Sequence, residues 1–386
     1  MADTAFQTTM VGSWPRPNWL LEELKKKNAG EIPYEEFSGK ANDAVLLAVR
    51  SQEDAGLDIV TDGEQRRDSF YSFVADKVAG IKLLTVSELI DYVEEKAMYE
   101  RILRTLDVPA FAIKSPVAVG EIKRRRTLAG DELSFLRQHT RQKIKIPLPG
   151  PFMLTRASWV EPLSRDAYRT REELASAYVK LLREEIIQLR DAGASFVQLD
   201  EPTLTEVVYG ESNQTTFMCA AIMSKVDPKE ELTFATDLIN EVTKGISGIK
   251  IGVHVCRGNW SRKDDALLTG DYTPLIPYFQ QMKVDQLVLE FSTERAGSLN
   301  VFEGAADGKE IGLGVVNPRS DEVETTGQVI AKAKEAAKFF DPARIYLNPD
   351  CGFATFAEVP LNSAETAQRK LSAMAKAAIE LRREYA

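Results

Sequence analysis

The stretch REELASAYVKLLREEIIQLRDAGASFVQLDEP, residues 171–202, decides the fold because it joins one helix to one buried strand. In its first part apolar residues recur every three to four positions, which is typical of an amphipathic helix, and Asp-Ala-Gly at 191–193 ends that helix. Its second part, SFVQLDEP, is a nearly continuous apolar run that ends in acidic residues. Such a run is typical of a strand that is buried on both faces in a parallel sheet.

Seven further runs of the same kind occur along the chain, and helical patterns separate most of them. The runs are TTMVGSW (8–14), DIVTDGE (58–64), KIPLPGP (145–151), KIGVHVC (250–256), QLVLEF (286–291), EIGLGVVN (310–317) and ARIYLNPDCG (343–352). Eight strands that alternate with helices predict a (β/α)8 barrel, also called a TIM barrel, which needs about 250 residues. We therefore predict a single TIM-barrel catalytic domain over residues 1–386.

Residues 65–144 exceed what a barrel requires. They contain a charged helical pattern at 86–106 and a strand-like pair within 112–128. Insertions of this length in barrels usually build the face that carries the active site. We predict an insertion after the second strand that packs over the barrel mouth, and an independent small domain is the alternative.

Charge and cysteine content limit the partners and the compartment. The chain has 49 Lys and Arg against 58 Asp and Glu, a net charge of −9, which disfavours nucleic acid or an anionic membrane as the partner. No apolar run approaches the length of about 18 residues that a membrane span needs, and the N-terminus lacks signal-peptide features. Because 3 cysteines cannot build a disulfide framework, we expect a cytoplasmic protein.

Polar side chains lie at the carboxyl ends of nearly all the predicted strands. In a barrel these ends meet at one rim, so residues far apart in sequence would share one cavity. The sequence therefore predicts an active site at this rim. The polar residues are Ser13, Asp62, Glu64, Asp200, Glu201, His254, Cys256, Glu290, Asn317, Arg319, Asp350 and Cys351.

Four of these residues have the chemistry of zinc ligands. His254 and Cys256 are separated by one residue on a predicted strand, so their side chains point to the same face. Zinc requires two more nitrogen, sulfur or oxygen ligands, and Cys351 and Glu290 lie at the matching height on nearby strands. We predict a zinc site at these four residues, and a buried pair of His254 and Cys256 without metal is the alternative.

Two thiolate ligands make zinc electron-rich and suit it to bind an external thiol, whose pKa it lowers from about 8.5. The carboxylates of Glu64 and Asp200 are placed to bind an ammonium group, and Ser13 with the 12–14 backbone to receive a carboxylate. An amino acid with a side-chain thiol needs this combination. Helix N-caps and rim ion pairs are the alternative roles for the two acids.

Motifs in order along residues 8–355 resemble those of the cobalamin-independent methionine synthase family, in its catalytic barrel. The resemblance implies the same zinc ligands, His254, Cys256, Glu290 and Cys351. It also implies homocysteine contacts at Gly12, Ser13, Glu64 and Asp200, with Glu206 as a contact to the methyl donor. The motifs are TTMVGSWPRP, TDGEQRRD, LPGP, VQLDEP, GVHVC, LVLEF, IGLGVV and LNPDCG.

Two departures from the two-barrel enzymes of this family bear on the methyl donor. The length has room for one barrel only, and Arg319 stands where those enzymes have a histidine that protonates the departing folate. The chain is more similar to the single-barrel branch, some members of which take methyl groups from a methylated corrinoid. The resemblance thus implies a zinc-dependent thiol methyltransferase that forms methionine from homocysteine through a zinc-bound thiolate, with a methylcorrinoid or corrinoid protein as donor.

Other functions stay open at this stage. The same branch includes epoxyalkane:coenzyme M transferases, which open an epoxide with a sulfonate thiol, and Arg66, Arg67 and Arg257 are candidates for a sulfonate site. A non-catalytic zinc-binding or corrinoid-sensing protein is a further alternative. Cys219 lies among small and apolar residues and is predicted to be an inert thiol, and Trp14, Trp159 and Trp260 are candidates for apolar walls of the site.

Overall fold

Eight parallel strands form a barrel, as predicted. The computed structural model describes residues 5–92, 96, 113–210, 227–264, 267–306 and 308–386. The strand order is β1-β10-β9-β8-β7-β6-β5-β2, and a parallel bridge between Thr9 and Ile59 joins the two edge strands. The strands are β1 (Gln7–Thr8), β2 (Ile59–Val60), β5 (Lys143–Pro149), β6 (Phe196–Asp200), β7 (Lys250–Val255), β8 (Gln286–Leu289), β9 (Glu310–Val316) and β10 (Ile345–Pro349), with β3 (Val78–Thr85) and β4 (Lys114–Arg124) in a separate two-stranded sheet.

Helices follow the barrel strands and cover their outer face. None of the helices within the described ranges is long and apolar enough to cross a membrane. The α-helices are Asn18–Asn28, Tyr34–Ala55, Val74–Lys77, Val86–Leu89, Gly130–His139, Pro151–Ser158, Glu161–Ser164, Arg171–Asp191, Thr203–Tyr209, Pro228–Thr243, Ile276–Gln281, Thr326–Ala336 and Ala364–Glu384. Short 3₁₀ helices are Ile90–Tyr92, Thr273–Leu275, Glu294–Ala296, Leu299–Phe302 and Pro342–Arg344.

The helix and strand in residues 171–202 form for local reasons that the sequence makes visible. The helix Arg171–Asp191 begins where the Thr170 side chain accepts the Glu173 N–H, at 3.3 Å, and acidic residues in its first turn favour the positive end of the helix dipole. The chain then turns through Gly193, whose φ of +91° favours glycine. Every residue of β6 is buried, as expected for a strand inside a parallel barrel.

The inside of the barrel is filled by side chains below the level of the site. Phe196 packs there with Val11 and Val288. The neighbouring strand β7 carries a glycine, Gly252, where a Cβ atom would lie 2.8 Å from the Phe196 ring. A larger residue at 252 would therefore displace this ring and with it the layer that supports the site.

The prediction of a strand pair within the insertion is wrong in one respect. Residues 113–128, the described part of the range 112–128, contain one strand, β4, and not a pair; its antiparallel partner is β3, which precedes the predicted helical pattern. Gly80, with φ of +83°, lies at the register shift between these strands, and this bulge interrupts the alternation that marks a strand in sequence. Of the helical pattern at 86–106, only residues 86–92 and 96 are described, as the helix Val86–Leu89 and the 3₁₀ turn Ile90–Tyr92.

The two-stranded sheet packs against loops at the carboxyl ends of the barrel strands. Leu84 and Val117 from β3 and β4 share one apolar cluster with Met153, Trp260 and Phe356, which follow β5, β7 and β10. This contact supports the prediction of a cover over the barrel mouth. The full boundaries 65–144, and a single domain over 1–386, stay predictions because residues 93–95 and 97–112 lie outside the described ranges.

Candidate active site

A cavity lies at the carboxyl ends of the barrel strands. Seven of the predicted site residues line it, and Glu206 and Glu290 do not. Residues at or after the carboxyl ends of five strands, β1, β2, β6, β7 and β10, thus converge on one rim, as barrel geometry requires. The lining residues are Val11, Gly12, Ser13, Glu64, Phe70, Asp200, Pro202, His254, Cys256, Gly258, Asn259, Trp260, Cys351, Gly352 and Thr355.

His254, Cys256 and Cys351 form a compact group of ligand atoms. The three atoms lie within 4.8 Å of one another. The Nδ1 atom of His254 lies 3.1 Å from the Val288 carbonyl oxygen, which only accepts hydrogen bonds, so Nδ1 carries the proton. The Nε2 atom is buried and has no hydrogen-bond partner within the described residues, and its lone pair is therefore available to a metal ion.

The two thiols of this group differ in acidity because they share one hydrogen bond. The Cys351 thiol donates to Cys256, which lowers the pKa of Cys256 well below its usual range. The same contact raises the pKa of Cys351 well above its usual range. One thiolate is thus favoured before any cation binds, and a set of one imidazole and two cysteine sulfurs is typical of zinc ligands.

Glu290, the fourth predicted ligand, lies outside this compact group. One carboxylate oxygen accepts a hydrogen bond from Arg295 at 2.5 Å, and the other accepts from the Arg257 N–H at 2.9 Å and from Asn259 at 3.0 Å. Burial opposes its ionisation, but the positive charges of Arg295 and Arg257 lower the pKa of Glu290 below its ordinary value. The residue is a buried carboxylate with its own partners, and its role as a ligand stays a prediction.

Glu64 reaches the cavity from a constrained turn. It has a φ of +54°, uncommon outside glycine, and its N–H donates to Asp62 at 2.9 Å while its carbonyl accepts from Arg16 at 2.7 Å. Gly12 leaves room for the carboxylate, because a Cβ atom there would stand 2.2 Å from it. Burial raises the pKa of Glu64 to about 7.

Asp200 and Ser13 complete the polar lining. Asp200 ends β6 and accepts a hydrogen bond from Gln198 at 2.7 Å, and burial raises its pKa to about 6. The Ser13 hydroxyl accepts the Ala354 N–H at 3.3 Å, and a Cβ atom at Gly352 would meet this oxygen at 2.1 Å. The cavity therefore combines two buried acids and a serine hydroxyl with the compact group of one histidine and two cysteines described above.

Glu206 and Arg319 are buried and lie outside the cavity. Glu206 lies in the helix Thr203–Tyr209, and within the described residues neither of its carboxylate oxygens has a hydrogen-bond partner. Burial raises the pKa of Glu206 well above its ordinary value. Arg319 contacts Asp264 at 2.6 Å and lines a separate polar cavity together with Arg262.

The three arginines proposed for a sulfonate site do not form one. Arg67 pairs with Glu132 at 2.6 Å, Arg66 bonds to Asn42 at 2.5 Å, and Arg257 donates to the Gly270 carbonyl at 2.5 Å. None of the three arginines lines the cavity. The cavity therefore gives no support to a sulfonate site at these arginines, because each of them is directed to other partners in the protein.

Several lining residues were not predicted from sequence. Val11, Phe70, Pro202, Asn259 and Thr355 lie in loops and carry no pattern that marks a site. Among the three candidate tryptophans, only Trp260 lines the cavity. Trp14 is buried against Phe353, Trp159 packs against the main core, and Cys219 lies outside the described residues.

The fold and the cavity define a class of protein, a barrel enzyme with cysteine, histidine and buried acids at the carboxyl rim. A family model described as the catalytic domain of cobalamin-independent synthase matches residues 6–380. The chain therefore belongs to the cobalamin-independent methionine synthase family, which confirms the predicted family and fold.

Relatives over the full length carry the same name. The methionine synthases of Sulfolobus acidocaldarius and Thermococcus kodakarensis are 28% and 29% identical to this chain, over 99% and 98% of it and 94% of each relative. A solved structure of a B12-independent methionine synthase from Shewanella sp. W3-18-1, in complex with selenomethionine, has a TM-score of 0.73 and 24% identity over 99% of both chains. This structure shares the fold, and the chain is a methionine synthase-like enzyme.

Proposed function

We propose that this protein forms methionine by transferring a methyl group to the thiol of homocysteine at a zinc site. The observation that carries the proposal is the convergence of His254, Cys256 and Cys351 within 4.8 Å in a cavity that Glu64 and Asp200 also line. The family and the names of the relatives support the methyl transfer. The ligand chemistry supports a thiol as the acceptor.

The residues present fit a zinc ion. His254 offers an unpartnered, buried Nε2, and its orientation is fixed by the Val288 carbonyl on the other side of the ring. The two cysteines supply thiolates, and we propose Glu290 as the fourth ligand on the strength of its position after β8. When bound, zinc supplies a Lewis acid that brings the pKa of a substrate thiol from about 8.5 toward neutrality.

The remaining residues bind and orient the amino acid. Glu64 and Asp200 accept hydrogen bonds from the ammonium group of homocysteine, which places two negative charges beside one positive charge in a buried site. Gly12 and Ser13 receive the carboxylate. Phe70 and Trp260 contact the methylene chain and exclude water from the reacting sulfur.

We propose a methylated corrinoid, or a protein that carries one, as the methyl donor. Arg319 stands where the folate-dependent relatives have a proton-donating histidine, and Arg319 is engaged by Asp264. Glu206 is proposed as a donor contact, because both its carboxylate oxygens are unpartnered within the described residues. We expect the protein to act in the cytoplasm, since its 3 cysteines serve as ligands or core residues.

X-ray absorption at the zinc edge tests the proposal. We expect the zinc-loaded protein to gain one sulfur in its first coordination shell when homocysteine is added, because the substrate thiol binds the metal. Homoserine, which carries a hydroxyl in place of the thiol, is the matched control and adds no sulfur. A first shell that homocysteine leaves unchanged would contradict binding of the thiol to the metal.

A further inference from the structure

We propose that Lys145 and Gln198, inside the barrel, are positioning residues that fix the relative placement of the two ends of the amino-acid site. The inference rests on the proposed function, because it concerns how the cavity recognises the ammonium and carboxylate groups of homocysteine. Neither residue lines the cavity. They lie in the layer beneath it, on the neighbouring strands β5 and β6.

Lys145 is a buried cation that binds neutral groups. Its side chain is fully buried, and its ammonium donates to the Met10 carbonyl and, at 3.0 Å, to the side-chain oxygen of Gln198. Within the described residues no carboxylate forms an ion pair with it. A lysine in a barrel interior costs free energy, since an ammonium loses its hydration there.

The lysine determines which way the Gln198 amide points. A glutamine side chain can present either its oxygen or its nitrogen in a given direction, but an ammonium only donates, so Lys145 selects the oxygen. The amide nitrogen is thereby aimed at the Val11 carbonyl at 3.1 Å and at one Asp200 oxygen at 2.7 Å. Lys145 thus controls a hydrogen bond to Asp200 that it does not itself make.

These contacts reach both ends of the proposed amino-acid site. Met10 and Val11 lead directly into Gly12 and Ser13, the segment proposed to receive the carboxylate. Asp200 is proposed to bind the ammonium group. Lys145 and Gln198 therefore fix the distance between the 12–13 segment and Asp200. A site with this fixed distance distinguishes an amino acid, which carries both charged groups, from a simple thiol, which carries neither.

The charge of Lys145 also affects the ionisation of Asp200. Although burial lowers the pKa of Lys145 to about 7, the negative charges of Asp200 and Glu64 favour its protonated form. A protonated Lys145 in turn favours the ionised form of Asp200, and an ionised carboxylate is the form that binds ammonium.

Binding measurements on the zinc-loaded protein, by isothermal titration calorimetry, test this role with two thiols. Homocysteine carries the ammonium and carboxylate groups, and 3-mercapto-1-propanol carries a similar thiol chain with neither. We expect Lys145→Met to weaken homocysteine binding by about tenfold or more and to leave the affinity for 3-mercapto-1-propanol unchanged. Lys143→Met, on the same strand at an exposed position, is the matched control and changes neither affinity.

A second variant keeps the test decisive if Lys145→Met does not fold. Gln198→Met keeps the side-chain length, removes the hydrogen bond to Asp200, and is expected to give the same selective loss. Equal losses for both thiols, or undiminished homocysteine affinity in either folded variant, would overturn the positioning role. A wild-type protein that does not prefer homocysteine over 3-mercapto-1-propanol would instead overturn the proposed function, and the positioning role with it.

Discussion

Replacing Cys351 with serine is expected to lower the zinc affinity of this protein by at least about a hundredfold. Losing an outer-shell partner of a metal ligand already costs 10–100-fold in affinity, and Cys351 is proposed as a direct ligand. The thiol also contacts Cys256, so its loss removes one sulfur donor and changes the environment of the other. Competition with a chromophoric chelator measures the dissociation constant, and metal analysis after dialysis measures the zinc content.

The chain offers a matched control for this variant. Cys219→Ser makes the same substitution at the remaining cysteine, which is not proposed as a ligand, and is expected to retain full zinc content. Circular dichroism distinguishes loss of metal from loss of fold. If folded Cys351→Ser protein keeps its zinc at wild-type affinity, the proposed metal site is wrong.

Replacing Asp200 with alanine is expected to weaken homocysteine binding by about tenfold to a hundredfold. The variant removes a buried carboxylate, and a hydrogen bond to a charged group contributes about 1.5–3 kcal/mol. It also leaves the Gln198 amide with one acceptor fewer. Isothermal titration calorimetry on the zinc-loaded variant measures the loss.

Two controls separate recognition of the ammonium group from general damage to the site. The affinity for 3-mercapto-1-propanol is expected to stay the same in Asp200→Ala, because that thiol has no ammonium group. Asp166→Ala removes an exposed carboxylate and is expected to leave homocysteine binding unchanged. Unaltered homocysteine affinity in Asp200→Ala would show that the acid does not bind the substrate amine.

The barrel and most of the cavity could be predicted from sequence because buried parallel strands have a strong local signal. Each apolar run marked a strand, and barrel geometry then brought the residues after those runs to one rim. Glu64, Asp200, His254, Cys256 and Cys351 were predicted in this way, although they are spread over most of the chain.

Other features depend on contacts between segments and leave no local pattern. Arg295 engages Glu290 from a 3₁₀ turn after β8, and this turn has no periodicity that identifies it. Lys145 begins the predicted run 145–151, and no local pattern marks it as buried, whereas it is fully buried and forms hydrogen bonds to β6 and to the loop after β1. The strand β3 was missed because the Gly80 bulge breaks its alternation.

The formation of methionine is the most direct test of the central claim, that this protein methylates homocysteine at a zinc site. Zinc-loaded protein is incubated with homocysteine and, in parallel, with methylcobalamin, methyltetrahydrofolate or a short epoxide. We predict methionine with methylcobalamin and no product with the other two, and we predict that a chelator abolishes the reaction and added zinc restores it. Absence of methionine with every methyl donor, or turnover of the epoxide alone, would contradict the account.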